Sequence, residues 1–176
     1  MRDNLIILAA QFARLAHLTQ KREDGTPYIY HPMRVAGNVS MHIGATETMV
    51  TAAWLHDVVE DCGVQPITLE KKFGLVVSDM VMELTNPSQI LKLKEQGVSR
   101  KQRKKIDLEH IMKISRDAQI IKMYDRIDNL LDKPKHSDGE WRKKYAQESM
   151  DLYDVVKDAD ETLANTLLKA IQRISQ

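Results

Sequence analysis

Trp54-Leu55-His56-Asp57-Val58-Val59-Glu60-Asp61 is the stretch on which the reading of this chain turns. At about 100° per helical residue, His56, Asp57, Glu60 and Asp61 fall within roughly 140° of arc, while Trp54, Leu55, Val58 and Val59 fill the opposite arc. A helix of this build packs one side on a core and lines a cavity with imidazole and carboxylate groups, the donor types that divalent metals accept. The expectation is a continuous helix over residues 46–61 whose polar face is a metal site.

Outward from that segment the chain keeps a helical period. Leu5, Leu8, Ala9, Phe12, Leu15 and Ala16 form a stripe over residues 4–20, which Lys21-Arg22-Glu23-Asp24-Gly25-Thr26-Pro27 breaks with turn chemistry. Pro32 is welcome in a first helical turn and opens a helix expected to run to about Ile43. Short helices are expected near 67–73 and 75–85, followed by the breaker Asn86-Pro87-Ser88. Residues 99–115 and 117–132 make two more helices, Pro134 to Gly139 a loop, and 140–173 one or two long C-terminal helices. Alternating strand patterns are absent. The expected class is all-α, one compact multi-helix domain over 1–176, with room for one short β-hairpin near Tyr28 to Tyr30.

Composition narrows the function classes. A chain of 176 residues can bury a sizeable core in one domain, and 43% hydrophobic with 29% charged residues is ordinary for a soluble protein. A net charge of +1 points to neither a nucleic-acid coat nor a membrane-surface binder. The one cysteine, Cys62, excludes an intramolecular disulfide framework and fits a reducing, cytoplasmic setting. No apolar run approaches the ~20 residues of a membrane span, and the start Met1-Arg2-Asp3-Asn4-Leu5 lacks the build of a secretory signal. A small-molecule partner is expected, with no nucleic acid and no membrane; homo-oligomerisation stays open.

A His-Asp dipeptide alone is weak evidence, and its company strengthens it. His31 precedes Pro32 at a turn-rich helix entry, where a ligand is held on a short stalk. Asp125 shares a narrow helical face with Lys122, Asn129 and Asp132, while Met123, Ile127, Leu130 and Leu131 lie broadly opposite. His31, His56, Asp57 and Asp125 thus offer two imidazoles and two carboxylates from three segments. Such a set suits Mn²⁺, Fe²⁺ or Zn²⁺ with positions open to water and substrate, and its oxygen share leans toward Mn²⁺. His17, His42, His110 and His136 have no comparable setting and are read as surface or core-edge histidines. The run Arg100-Lys101-Gln102-Arg103-Lys104-Lys105 reads first as a solvated helical face, and it can supply a local positive field for a phosphate-rich ligand.

Three ordered motifs together resemble the hydrolase domain of the RelA/SpoT alarmone enzymes, in particular the small stand-alone hydrolases of the metazoan SpoT-homologue kind. They are Gly25-Thr26-Pro27-Tyr28-Ile29 with His31-Pro32, Leu55-His56-Asp57 with Val59-Glu60-Asp61, and Lys122-Met123-Tyr124-Asp125-Arg126 with Asn129-Leu130. Phe73-Gly74, Trp141 and Gln147-Glu148 fall in register, so the resemblance covers nearly the whole chain. It implies a helical fold of the His-Asp superfamily and removal of the 3′-pyrophosphate of (p)ppGpp, giving GDP or GTP. It implies one Mn²⁺ per chain on His31, His56, Asp57 and Asp125, with Glu60 and Asp61 acting on the attacking water. Arg22 and Asn129 would contact the nucleotide, and Lys101 and Arg103 the phosphates. The length of the chain leaves no room for a synthetase domain, so a hydrolase-only protein is implied.

The chain departs from the pattern in the nucleotide pocket. Glu23 stands where family members carry Lys, and Tyr145 and Ser149 stand where Arg and Tyr are usual. These departures make (p)ppApp or NADPH the competing substrates. A catalytically silent nucleotide-sensing module is the competing reading of another class. Against it, such a module has no reason to keep four ligand candidates together with Glu60 and Asp61.

Overall fold

The computed structural model describes residues 4–132 and 138–175, over which the chain forms eleven α-helices. They are α1 (Leu5–Ala16), α2 (Tyr30–Ser40), α3 (Glu47–Leu55), α4 (Val58–Cys62), α5 (Pro66–Phe73) and α6 (Leu75–Leu84), then α7 (Pro87–Ile90), α8 (Arg100–Ile111), α9 (Arg116–Leu131), α10 (Gly139–Val156) and α11 (Glu161–Ile174). The loop residues 134–137 and His136 lie outside the described residues.

Most of the long helices start where a short polar side chain can accept from the first free N–H groups. Asn4 accepts from Ile6 and Ile7, Thr46 from Met49, Ser115 from Ala118, Asp138 from Trp141 and Asp160 from Leu163. Ser99 and Gln102 cap α8 reciprocally. The junction of α5 and α6 is Gly74, at φ 86° and ψ 162°, a region essentially reserved for glycine.

Two helices organise the core. In α3, Met49, Val50, Thr51, Ala52, Ala53 and Leu55 are all buried, so the helix is apolar nearly all round and is surrounded by α1, α2, α6 and α9. Helix α9 packs on α2, α3, α6, α10 and α11, and buries Ile120, Ile121, Met123, Ile127 and Leu130. Because α2, α3 and α9 pack on one another, residues from all three meet at one place in the interior.

The structure departs from the sequence expectations in three ways. First, the helix expected over 46–61 is broken at His56 and Asp57. The His56 Nδ1 donates to the Ala53 carbonyl at 2.8 Å, taking the acceptor that would continue the ladder. The clean segregation of the helical wheel is therefore lost, and His56 is buried along with Leu55 and Val58. Second, the hairpin near Tyr28 to Tyr30 is reduced to one bridge between Lys21 and Pro27, closed by Arg22 N–H donating to Thr26 at 2.9 Å. Tyr30 already belongs to α2. Third, Asn86-Pro87-Ser88 ends one helix and opens another, because Pro87 fits the first turn of α7.

Candidate metal centre

His31 enters from the first turn of α2, His56 from the break after α3, and Asp125 from the middle of α9. Their donor atoms lie within 4.8 Å of one another and form a possible metal site. The two Nε2 atoms are 3.2 Å apart. Asp125 Oδ1 stands 3.2 Å from His31 Nε2 and 3.8 Å from His56 Nε2. Asp57 closes the group, its Oδ2 being 2.9 Å from His56 Nε2 and 3.5 Å from His31 Nε2. Both imidazoles are 1% exposed, so water does not screen them.

The residues behind this group decide which lone pairs face inward. His31 Nδ1 donates to Asp128 Oδ2 at 2.6 Å, and His56 Nδ1 to the Ala53 carbonyl. With both Nδ1 atoms engaged, each neutral ring turns the lone pair of Nε2 toward the other ring and toward Asp57 and Asp125. Two nitrogen lone pairs face to face among carboxylates repel, and a shared divalent cation removes the repulsion, so the donor set fits such an ion. Asp128 is in turn gripped by Arg34, at 2.6 and 3.0 Å. The Tyr28 hydroxyl donates to Asp57 Oδ2 at 2.7 Å, and the Asn129 amide to Asp125 Oδ1 at 2.6 Å.

Without a metal the electrostatics resemble a tight set of ion pairs. Burial would push the Asp57 carboxyl up, but His56 reverses that and holds it well below the usual carboxylate range. Asp125 behaves likewise, with His31 and His56 overcoming burial. Burial disfavours a charged His56, yet Asp57 and Asp125 win and its pKa is raised to about 9. Burial, then Asp57 and Asp61, push the Tyr28 hydroxyl far up, so it remains a proton donor.

Glu60 and Asp61 take different positions. Glu60 is tucked against α7 and accepts from the backbone N–H and side chain of Asn86. Burial raises its carboxyl above the usual range, with Lys122 and Asn86 pulling the other way. Asp61 is exposed and accepts from Gln20 at 2.9 Å. The expected nucleotide contacts Arg22 and Asn129 are brought together, Arg22 donating to Asn129 Oδ1 at 3.2 and 3.4 Å and pairing with Asp132 at 3.1 Å. They line an opening of about 330 Å³ with Glu23, Asp24 and Tyr28. Lys101 and Arg103 are not brought to the metal donors: Lys101 is exposed on α8, and the Arg103 Nε donates to the Val98 carbonyl.

Sequence reasoning missed several participants. Asp128 was given no role, although it lies at the edge of the polar face of α9, is only 5% exposed and supports His31. Tyr28 was quoted as part of a motif and carried no role. His17, expected at the surface or core edge, is buried: its Nδ1 sits 2.7 Å from Gln20 Oε1 and 3.2 Å from Cys62 Sγ, and its ring lies against Tyr28. The aromatic and polar pockets that enclose these groups assemble from distant segments, which no local pattern signals.

A helical protein in which two histidines and an aspartate from three helical segments converge on one buried site has the architecture of the HD class. The chain matches the HD domain family over residues 9–162 and belongs to it. It is 36% identical to the guanosine-3′,5′-bis(diphosphate) 3′-pyrophosphohydrolase MESH1 of Xenopus tropicalis over 147 residues, 82% of this chain and 78% of that protein. The protein of the same name from Drosophila melanogaster is 34% identical over 167 residues, 90% of this chain and 87% of its own length. A solved structure described as a metazoan ortholog of SpoT that hydrolyzes ppGpp superposes with a TM-score of 0.84 at 28% identity, over 98% of this chain and 97% of that one.

Proposed function

We propose that this chain is a metal-dependent hydrolase that removes the 3′-pyrophosphate of (p)ppGpp, releasing pyrophosphate and GDP or GTP. The observation that carries the reading is the convergence of His31, His56 and Asp125 beside Asp57, in a chain whose relatives bear the name of that activity. His31, His56, Asp57 and Asp125 would hold one Mn²⁺. Bound there, the ion supplies a Lewis acid for the phosphoryl oxygens and a water of lowered pKa. The reaction consumes one water: its oxygen bonds to the proximal phosphorus, the bond from that phosphorus to the ribose 3′ oxygen breaks, and a proton ends on that oxygen.

The roles of the chain's own residues follow from their surroundings. Glu60 takes the proton from water, since its buried carboxyl has a raised proton affinity and stands outside the donor set. Asp61 assists from the exposed side. Tyr28, which keeps its proton, orients Asp57, and Asp128 orients His31. Arg22 and Asn129 receive the nucleotide, and Lys101 and Arg103 supply positive field from α8. The partner is a small nucleotide rather than a nucleic acid or membrane. The lone thiol Cys62, pushed up to about 11 by burial and then by Asp61 and Asp57, suits a reducing cytoplasm where it stays unreactive.

Incubation of purified protein and Mn²⁺ with ppGpp, ppApp, dGTP and NADPH tests the reading, with metal analysis of the same sample. Release of pyrophosphate from ppGpp is expected. Release from neither alarmone would overturn the reading. One observation favours the second reading, (p)ppApp or NADPH: Glu23 places a carboxylate at the nucleotide opening, where the resemblance to the alarmone hydrolases implies a lysine.

A further inference from the structure

Asp125 also lines a small cavity of about 70 Å³ that shares no lining residue with the nucleotide opening, its wall including Asn86, Lys104, Asp107, Lys122, Arg126 and Glu148. It has room for a compact tetrahedral oxyanion. Lys122 is 7% exposed, one turn before Asp125 and Arg126 on the same face of α9. Lysine is almost never buried so deeply without a partner, because an ammonium taken out of water must be compensated. Among the described residues, neither Lys122 nor Lys104 makes an ion pair or a hydrogen bond.

The nearby anions are already committed. Asp107 accepts from the Ser88 backbone at 3.0 Å and its hydroxyl at 2.8 Å. Glu148 is held by Arg100 at 2.8 and 2.9 Å. Glu60 and Asp125 act on Lys122 through space without pairing with it. Arg126, packed over the Tyr145 ring at 5.0 Å, adds a third positive group to the wall. Burial, and then the charge of Arg126, push the Lys104 ammonium below the ordinary lysine range. Asp151, the remaining carboxylate of the lining, is exposed and accepts from Gln147 at 2.9 Å, so Lys122 is left as a buried cation that pairs with none of the lining carboxylates, one turn from Asp125.

We propose that Lys122, with Lys104 and Arg126, forms the pocket that takes the terminal phosphoryl group of the pyrophosphate while its proximal phosphorus lies at the metal donors. The assignment rests on the 3′-pyrophosphohydrolase reading. It gives the substrate a direction across the site, with the nucleoside toward Arg22 and Asn129 and the pyrophosphate tail toward Lys122. It also moves the phosphate-binding role within the basic run from Lys101 and Arg103 to Lys104.

The test is calorimetric titration of the metal-loaded protein with inorganic pyrophosphate and orthophosphate, with metal content measured after each titration. Lys122→Gln is expected to weaken pyrophosphate about 10- to 100-fold, the size of a lost charge-assisted hydrogen bond. Orthophosphate, which fits the same pocket, should weaken in parallel, while metal content stays within twofold of the parent. Lys104→Gln, on a different helix and only half-buried, gives the same readout where Lys122→Gln fails to fold. Pyrophosphate affinity within twofold of the parent in the folded variants overturns the pocket. A parent protein that binds pyrophosphate through Lys122 but cleaves no alarmone overturns the functional reading and leaves the pocket standing.

Discussion

Replacing Asp128 by Asn tests the support behind the metal donors with almost no change of shape. Asp128 accepts from His31 Nδ1 at 2.6 Å and from Arg34 at 2.6 and 3.0 Å, and Arg22 lies 3.8 Å away. Burial pushes its carboxyl up, but the bonds from His31 and Arg34 outweigh it and keep the group ionised. An Asn offers one acceptor oxygen. If that oxygen faces His31, the amide NH₂ faces the donors of Arg34, and at least one charge-assisted hydrogen bond worth about 1.5–3 kcal/mol is lost. Passed to the metal through the orientation of His31, this is about a 10- to 100-fold loss of affinity, the usual size for such outer partners. The fold should survive, because Arg34 is 38% exposed and can be rehydrated. A cost of about 1–2 kcal/mol would lower Tm by roughly 2–8 °C.

The assay is competition for Mn²⁺ against a chromophoric chelator at several pH values. Burial opposes a charged His31, but Asp125 and Asp128 raise its proton affinity, so in the parent a proton competes with the metal. Removing the Asp128 charge weakens that competition, which partly masks the defect at low pH. The gap between parent and variant should therefore widen as pH rises. An Asp128→Asn protein that binds Mn²⁺ within twofold of the parent across the range would refute the reasoning.

Three further outcomes are expected. His56→Ala should lose bound metal, while Glu60→Ala should keep it and lose turnover; a Glu60→Ala protein at full rate removes its role in activating water. For His56, burial is outweighed by Asp57 and Asp125, and the pKa rises from 6.5 to about 9. In the metal-free protein its stabilising charge is fully present below about pH 6.5 and lost as pH rises through about 9, so Tm after chelation should fall over that window. Metal affinity should rise over the same window as the proton leaves, and a flat metal affinity contradicts the assignment. Gly74→Ala forces a side chain into φ 86°, ψ 162° and should cost about 1–3 kcal/mol in denaturant unfolding, with activity per folded molecule unaltered.

The class of the protein was legible because its signals are local. The stripe from Leu5 to Ala16, the turn chemistry of Lys21 to Pro27, Pro32 in a first helical turn and the breaker at Asn86 each act within one or two helical turns. They mark helices whatever the rest of the chain does. The candidate donors His31, His56, Asp57 and Asp125 stood out likewise, since their motifs are short and ordered along the chain, and the structure brings His31, His56 and Asp125 together with Asp57 beside them.

What the pattern misjudged depended on partners far away in sequence. The wheel over 46–61 assumed an unbroken ladder, yet the bond from His56 to Ala53 interrupts it and lets His56 meet His31, 25 residues distant. Asp128 bonds His31 across 97 residues, and Tyr28 reaches Asp57 across 29. Lys122 read as part of a polar front and turned out to be buried, because α6 and α10 pack on α9 as well as α2 and α3. Sequence by itself determined which residues could bind a metal and which segments are helical, since helix signals and donor chemistry belong to individual residues and their near neighbours. Only the tertiary structure decided which nitrogen faces inward, which carboxylate supports it and which cations are left unpaired, because burial and long-range contact set those properties.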